Sequence, residues 1–203
     1  MPKSLRVVLV VVVMVLASMA AHADGTLFQR LDMARGAGPS LTTAWLDSSG
    51  LELWSFCQPD FPMYELGKLW PVKADEGDTL LLGGYVSWWD KVDQVFLEPF
   101  WVYNHPLDGD WKMETGGGAY VPLNGGPWVF YTSQVALSHH VSKNVRAGIA
   151  ATNWWQEGVG NSIAIGPKLK ISAGDTSWLL RYTFGVAGGA PDTARVELSI
   201  KLD

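Results

Sequence analysis

The sequence predicts an all-β fold, in which an antiparallel up-and-down meander closes into a β-barrel of eight to ten strands. From Thr79 onward, segments of about ten residues alternate apolar and polar side chains, and turns rich in Gly, Asn and Asp separate them. A period of two residues is typical of strands and not of helices. Closure is favoured because an open sheet would leave two unpaired edges.

Seven turns divide the C-terminal part into eight predicted strands joined by short connections, so each strand runs antiparallel to the last. In the turn at Asn124-Gly125, the sequence supplies residues that tolerate the positive φ angles of a tight hairpin. The predicted strands lie near 79–89, 94–104, 111–121, 128–139, 145–155, 162–172, 177–186 and 193–202.

The chain before Thr79 is predicted to be partly irregular and to pair with, plug or cap the same barrel. Thr26 to Arg35 has the pattern of a short amphipathic helix. Leu51–Phe56 and Tyr64–Val72 could each add a strand, and Ser40–Leu46 could add one more. The predicted organisation is therefore a signal peptide over 1–23, an N-terminal segment over 24–78 and an eight-strand barrel core over 79–203.

Residues 1–23 have the three parts of a secretory signal peptide. Lys3 and Arg6 form a basic start, Val7 to Ala17 is an unbroken apolar run, and Ala21-His22-Ala23 is a cleavage site of the A-x-A type. The apolar run is too short for a transmembrane helix, which needs about 20 residues. The sequence therefore predicts export and cleavage after Ala23.

Composition excludes several classes of function. With 203 residues, the chain has room for one domain of ordinary size. Its formal net charge of −5 gives no electrostatic reason to bind nucleic acid. The single cysteine, Cys57, excludes an intrachain disulfide and a cysteine-built metal site. No cofactor and no metal are expected, because the zinc, calcium and phosphate-loop motifs are absent.

Alternation alone does not decide whether the apolar face points inward, as in a soluble barrel, or outward toward lipid. Strands of about ten residues match the length that crosses a bilayer when tilted. Aromatic residues also gather at strand ends, as they do at membrane interfaces. The predicted interface aromatics are Trp88, Trp89, Trp101, Tyr103, Trp111, Tyr120, Trp128, Trp154, Trp155 and Trp178. These observations favour a protein of the bacterial outer membrane with lipid as its partner, and leave a soluble periplasmic barrel as the alternative.

If the apolar rows face lipid, the charged positions of the strands meet in the lumen. The predicted lumenal cluster comprises Glu98, Lys112, Glu114, Arg146, Lys168, Lys170, Arg181, Arg195, Glu197 and Lys201. In a narrow barrel such charges must pair, because an unpaired buried charge is costly. A salt-bridge network that fills the interior is one interpretation. A constriction that selects anionic solutes is the other, since seven of the ten are basic.

One short motif points to catalysis. His140-Val141-Ser142 resembles the His-x-Ser pair of the outer-membrane lipid A deacylases, a family of eight-stranded barrels. The resemblance implies that His140 acts as a base toward Ser142 and that the substrate is a lipid. It covers three residues, and the turn at 140–144 would lie on the periplasmic side, whereas the family's site faces the outer leaflet.

The leading hypothesis is therefore a small outer-membrane barrel with a structural or narrow-passage role and no obvious catalytic site. Two alternatives stay open. The first is an outer-membrane enzyme that modifies lipid. The second is a soluble exported barrel that binds a hydrophobic ligand or a sugar, because exposed indole rings stack on sugar rings. The soluble alternative predicts an apolar lumen, with Lys168, Lys170, Arg195 and Lys201 in solvent.

Overall fold

The structure, a computed structural model, describes residues 24–57, 62–72 and 77–202. The predicted signal peptide lies outside these ranges. Twelve antiparallel strands form one closed barrel in which each strand pairs with its chain neighbours and β1 pairs with β12. The strands are β1 (Gly25–Ala34), β2 (Ser40–Asp47), β3 (Leu51–Cys57), β4 (Met63–Val72), β5 (Thr79–Trp89), β6 (Gln94–Pro106), β7 (Trp111–Pro122), β8 (Val129–Ser142), β9 (Val145–Gln156), β10 (Gly160–Ala173), β11 (Thr176–Ala187) and β12 (Thr193–Leu202).

The all-β meander and its closure are confirmed, and all eight strands predicted after Thr79 are present as β5 to β12. The strand number is twelve because the described part of the N-terminal segment adds four strands, β1 to β4, to the wall. The helix predicted over Thr26–Arg35 is wrong: this segment forms β1 and closes the barrel against β12. Pairing on both edges overrides the weak helical pattern, because an isolated short helix would leave β2 and β12 with unpaired edges.

The barrel has two rims that differ in the connections they carry. We call the rim at Gly25 and Leu202, where β1 begins and β12 ends, the terminal rim, and the opposite rim at Ala34 and Thr193 the distal rim. The 3-10 turn at Asp90–Val92 lies at the distal rim, between β5 and β6. Nearby, Asn124 Nδ2 donates to the backbone oxygen of Asp93 at 2.9 Å, so two distal turns are joined. Among the described residues, no helix is long and apolar enough to cross a membrane.

The two faces of the wall differ in polarity. Successive side chains of a strand point to opposite faces. In β11, Leu180 and Tyr182 are exposed, whereas Arg181 and Thr183 between them are buried. The outer face is apolar around the barrel, whereas the inner face combines buried polar and charged side chains with an apolar cluster of Met63, Trp89, Phe96, Tyr120 and Val129. The exposed apolar set includes Leu31, Leu41, Leu66, Leu82, Val86, Leu97, Phe130, Val135, Leu137, Ile149, Ile165, Trp178 and Phe184.

Small and cyclic residues mark places where the backbone ladder is locally irregular. Gly117 lies at a register shift between β7 and β8, and a Cβ there would come within 2.3 Å of the Tyr131 carbonyl oxygen. Pro167 sits inside β10, and the pairing with β11 skips from Ile165 to Lys168. A proline cannot donate to the ladder, so the gap follows from the missing N–H.

Candidate functional site: the barrel lumen

The seam that closes the barrel carries an ion-pair network. Asp32 of β1 lies directly opposite Arg195 of β12, whose Nε and Nη2 donate to the two carboxylate oxygens at 2.5 and 3.2 Å. Arg30 Nε lies 2.9 Å from the same carboxylate, and Arg195 Nη1 lies 3.5 Å from Glu197. A bidentate arginine–carboxylate contact fixes geometry as well as charge. The network therefore specifies the β1–β12 register from the inside.

A row of cations continues from this seam across the inner wall. Arg195 of β12 is paired with Arg181 of β11, which is paired with Lys168 of β10. Like charges directly opposite in a sheet repel. Lys168 is compensated by Glu114 of β7, with which it forms a hydrogen-bonded ion pair. Arg195 is compensated by Asp32, as described above.

The Glu114–Lys168 ion pair reaches across three strand spacings because the residues beneath it are small. Glu114 is paired in register with Ala136 of β8, which is paired with Ala150 of β9 and then with Gly166 of β10. Both alanines are almost completely buried. Small side chains leave room for the two long charged ones to meet above them. The other partner of Glu114, Lys112, lies at 3.3 Å and is more exposed.

The remaining basic members of the predicted lumenal cluster lie toward the terminal rim. Arg146 of β9 is paired with Lys170 of β10, and Arg146 Nε donates to His140 Nε2 at 2.9 Å. Lys201, at the end of β12, alternates with the outward Ile200 and is exposed at the rim. The inner wall of β9 to β12 thus carries basic residues from Arg195, near the distal rim, to Arg146, at the terminal rim. We call Arg146, Lys168, Lys170, Arg181 and Arg195 the cationic wall.

The opposite side of the lumen carries acidic residues held by neutral donors. Tyr120 Oη and Ser87 Oγ donate to Glu65 Oε1 at 2.8 and 3.2 Å. Ser87 is also 2.9 Å from Glu98 Oε2, and Tyr131 Oη donates to the other oxygen of Glu98. Each of these two carboxyl groups is therefore bonded to hydroxyl groups and buried in the wall.

A third carboxyl group of this acidic wall is held in the same way. Glu52 of β3 accepts hydrogen bonds from Tyr85 Oη at 2.6 Å and from Trp54 Nε1 at 2.9 Å, and it is buried. Acidic and basic side chains are thus separated around the lumen.

A cavity of about 710 Å³ occupies the distal part of the lumen. Its lining combines aromatic rings, hydroxyl and amide groups, and arginines. Tyr120 and Tyr131 stack at 5.2 Å between ring centroids, and Tyr131 stacks on Trp154 at 5.9 Å. On another part of the lining, the Arg30 guanidinium lies 5.7 Å from the ring centroid of Phe56. A volume of this size is typical of pockets that hold small molecules, roughly 300–1,000 Å³.

The predicted interface aromatics divide between the two faces. Trp111 and Trp178 are exposed at the terminal rim, and Trp128 and Trp155 at the distal rim. Trp101 and Tyr103 alternate with the lumenal Phe100 and Val102 and are half-buried on the outer face, whereas Trp88 stacks on Tyr64 and is buried. Their contact with a membrane interface remains a prediction.

Three of the predicted interface aromatics are assigned to the wrong face. Trp89, Tyr120 and Trp154 line the lumenal cavity. Trp89 packs against the fully buried Phe96 at 4.4 Å between ring centroids. The physical reason is alternation: adjacent residues of a strand point to opposite faces, so only one tryptophan of each Trp-Trp pair can face outward.

The motif that resembles a deacylase does not form a base–nucleophile pair. Nδ1 of His140 lies 3.3 Å from the backbone oxygen of Ser142, and Nε2 accepts from Arg146. Both ring nitrogens are therefore engaged by groups other than the serine hydroxyl. His139 points to the other face, where its ring lies 5.0 Å from that of Trp111. Within residues 24–57, 62–72 and 77–202, no group of three potential metal ligands occurs.

The soluble alternative predicts an apolar lumen with the charged side chains in solvent. In the structure the lumen holds buried charged side chains beside an apolar cluster, and the apolar rows of the outer face are exposed. Lys168 is 4% exposed, and Arg195 is held inside the seam network. Val196 and Leu198 are paired with Leu180 and Trp178, which are exposed on the outer face. Only Lys201 of the residues named by that alternative lies exposed at a rim.

One polar cluster lies outside the lumen, at the terminal rim. Tyr103 Oη donates to Asp78 Oδ2 at 2.7 Å, and His105 Nδ1 lies 2.6 Å from Asp78 Oδ1. The hydrogen bonds from His105 and Tyr103 hold the pKa of Asp78 below its ordinary value. Asp78 precedes β5, so this cluster ties the loop before β5 to the end of β6.

Sequence reasoning missed the lumenal residues of the N-terminal strands. These include Arg30, Asp32, Glu52 and Glu65. A signal for β1 is present, since Phe28, Arg30 and Asp32 alternate with Leu27, Gln29 and Leu31. The helical pattern of the same ten residues competes with it, and only the pairing partners decide between them.

Comparison with known proteins finds similarity in structure only. No family model matches the chain, and no curated protein matches it in sequence. Among solved structures, the KdgM porin superposes with a TM-score of 0.64 at 10% identity, covering 88% of this chain and 99% of its own. The NanC porin gives a TM-score of 0.63 at 12% identity, covering 87% and 100%. A structure described as the KdgM porin in complex with disordered oligogalacturonate gives 0.63 at 11% identity, covering 88% and 99%. At these identities the likeness establishes the porin-like barrel fold.

Proposed function

We propose that this protein is a narrow channel of the bacterial outer membrane that passes small anionic solutes. The observation that carries the proposal is the inverted polarity of the wall, with exposed apolar rows outside and buried charged networks inside. Such a wall is stable where hydrocarbon surrounds it and water fills the interior. The fold shared with the KdgM and NanC porins agrees with this role.

The preference for anions is inferred from the arrangement of the lumenal charges. The cationic wall runs from Arg195, near the distal rim, to Arg146 at the terminal rim, where Lys201 adds a further charge. The carboxyl groups of Glu52, Glu65 and Glu98 are on the other side and are occupied by hydroxyl and indole donors. Rings or rows of basic side chains favour anions in pores. An acidic sugar such as the oligogalacturonate named with KdgM belongs to this solute class.

Reconstitution in planar lipid bilayers tests the proposal. We expect discrete single-channel currents. Under a potassium chloride gradient, we expect a reversal potential shifted from zero toward the equilibrium potential of chloride. The double variant Arg146→Gln/Lys170→Gln should shift the reversal potential toward the equilibrium potential of potassium, because it removes two positive charges near the terminal rim. A folded protein that inserts but gives no current, or that prefers potassium, would contradict the proposed function.

A further inference from the structure

One serine bridges two of the acidic side chains of the lumenal wall. Ser87 of β5 lies directly opposite Glu65 of β4, and its Oγ is 3.2 Å from Glu65 Oε1 and 2.9 Å from Glu98 Oε2 on β6. Glu65 and Glu98 are 5% and 1% exposed, and both line the distal cavity. The two carboxyl groups therefore lie on either side of one hydroxyl group, inside the wall and beside the cavity.

The hydrogen bonds at this bridge indicate how many protons the pair holds. A hydroxyl group has one hydrogen, so Ser87 donates to one carboxylate only. If both carboxyl groups were ionised, the second would face the lone pairs of the serine oxygen with no hydrogen between them. If one carboxyl group is protonated, it donates to Ser87 Oγ while Ser87 donates to the other, and both contacts are hydrogen bonds. The bridge is therefore complete when Glu65 and Glu98 share one proton.

The side chains that reach the pair from β7 and β8 are neutral donors. Tyr120 Oη donates to Glu65 Oε1 at 2.8 Å, and Tyr131 Oη donates to Glu98 Oε1. A phenol is uncharged near neutral pH, so these contacts stabilise a carboxylate without supplying a positive charge. They leave a second negative charge at the bridge without compensation.

The charged groups on the neighbouring strands do not neutralise a second carboxylate either. Arg30 of β1 lines the same cavity and interacts electrostatically with Glu65, but its Nε lies 2.9 Å from Asp32. Tyr85 of β5 donates to Glu52 of β3, which adds another carboxyl group to this side of the lumen. Two carboxyl groups that share a buried site resist ionising together, and their titration belongs to the pair.

We infer that Glu65, Glu98 and Ser87 form a proton-sharing group that holds one proton at neutral pH and controls the charge of the distal cavity. When the pH rises and the shared proton leaves, the cavity gains a negative charge and admits anions less readily. This inference rests on the proposed channel function, of which it names the regulation. It also states that a protonated carboxyl group is present, and that statement can be tested without any current.

The first test is the chloride-to-potassium permeability ratio, measured from reversal potentials in phosphatidylcholine bilayers between about pH 5 and about pH 9. All proteins carry His140→Gln, because this histidine contacts Arg146 of the cationic wall and a histidine titrates in the same range. In this reference protein we expect the ratio to fall by at least about 2-fold as the pH rises. Glu65→Gln and Glu98→Gln should each keep the ratio nearly constant, because an amide replaces the protonated carboxyl group and one carboxylate remains.

A matched control and a second measurement separate the bridge from general effects of charge and folding. Glu52→Gln removes a carboxyl group of the same wall that is not bonded to Ser87, so the dependence on pH should persist. Infrared spectra of the folded protein in vesicles at about pH 7 detect the C=O stretch of a protonated carboxyl group, which a carboxylate lacks. We expect this band to be weaker in both Glu65→Gln and Glu98→Gln than in the reference protein. Heat-modifiable migration in gels verifies that each variant is folded.

The outcomes distinguish this inference from the proposed function. A permeability ratio that is independent of pH in the reference protein, or that falls equally in Glu98→Gln, would overturn the inference. An infrared band that neither variant weakens would do the same. If the protein gives no current and both variants still weaken the band, the channel function fails and the proton-sharing pair stands.

Discussion

Removing the carboxylate of Glu114 should leave Lys168 as an isolated charge inside the wall. The side chain of Lys168 is 3% exposed, and the hydrogen-bond partner that would remain to it is Gln134, at 3.4 Å. Breaking a buried ion pair by removing one partner costs about 3–5 kcal/mol, because the other charge stays desolvated. We therefore expect Glu114→Gln to lower the free energy of unfolding by about 3 kcal/mol, measured by urea titration in lipid vesicles with tryptophan fluorescence.

The second partner of Glu114 supplies the control. The side chain of Lys112 is 32% exposed and lies 3.3 Å from the same carboxylate. Lys112→Met should therefore cost less than about 1 kcal/mol, as exposed ion pairs do. The double variant Glu114→Gln/Lys168→Met should recover most of the loss, because it removes both buried charges. If Glu114→Gln costs no more than Lys112→Met, Lys168 is hydrated in the lumen, and the reasoning from its burial is refuted.

Three further predictions concern the outer face, the core and the terminal rim. Leu180→Arg places a charge on the exposed outer row and should destabilise the barrel in vesicles by about 2–4 kcal/mol, whereas Leu179→Arg, on the lumenal face, should cost clearly less. Phe96→Ala empties a fully buried position beside Trp89 and should lower the free energy of unfolding by about 3–5 kcal/mol in the same titration; a cost below about 1 kcal/mol would refute close packing there. Because the pKa of Asp78 is lowered in the folded state, its carboxylate stabilises the fold above its ordinary pKa of roughly 3.9, and this contribution is lost as pH falls through the folded-state pKa. The urea midpoint of the Asp78→Asn variant should therefore fall less between about pH 6 and about pH 2 than the midpoint of the unaltered protein. An equal fall in both proteins would show that the Asp78 carboxylate does not stabilise the fold.

The C-terminal two thirds of the barrel could be predicted from the sequence because its strands are long and their turns are chemically explicit. In β12, for example, Val196 and Leu198 alternate with Arg195 and Glu197, and only a strand separates these rows onto two faces. Closure followed from the cost of free edges. The N-terminal strands alternate less clearly, so the residues of β1 also fit the pattern of a helix. Its state is decided by pairing with β12, which is distant in sequence.

The lumenal site could be predicted in part. The charged positions followed from alternation, but which of them are neutralised did not. Lys168 reaches Glu114 across three strand spacings because Ala136 and Ala150 leave space for the two long side chains. The aromatic wall also could not be predicted, since a Trp-Trp pair in a strand does not reveal which ring faces inward. Both questions depend on the register between strands, which a single sequence does not encode locally.

In a membrane-spanning barrel the outer rows contact hydrocarbon while the inner rows of the lumen contact water. Nitroxide spin labels at two adjacent positions, Leu179→Cys and Leu180→Cys, in a Cys57→Ser background folded in lipid vesicles, distinguish the two environments. We expect molecular oxygen to relax the label at position 180, and a water-soluble nickel complex to relax the label at position 179. The reverse pattern, or strong relaxation of both labels by the nickel complex, would contradict a membrane-spanning barrel.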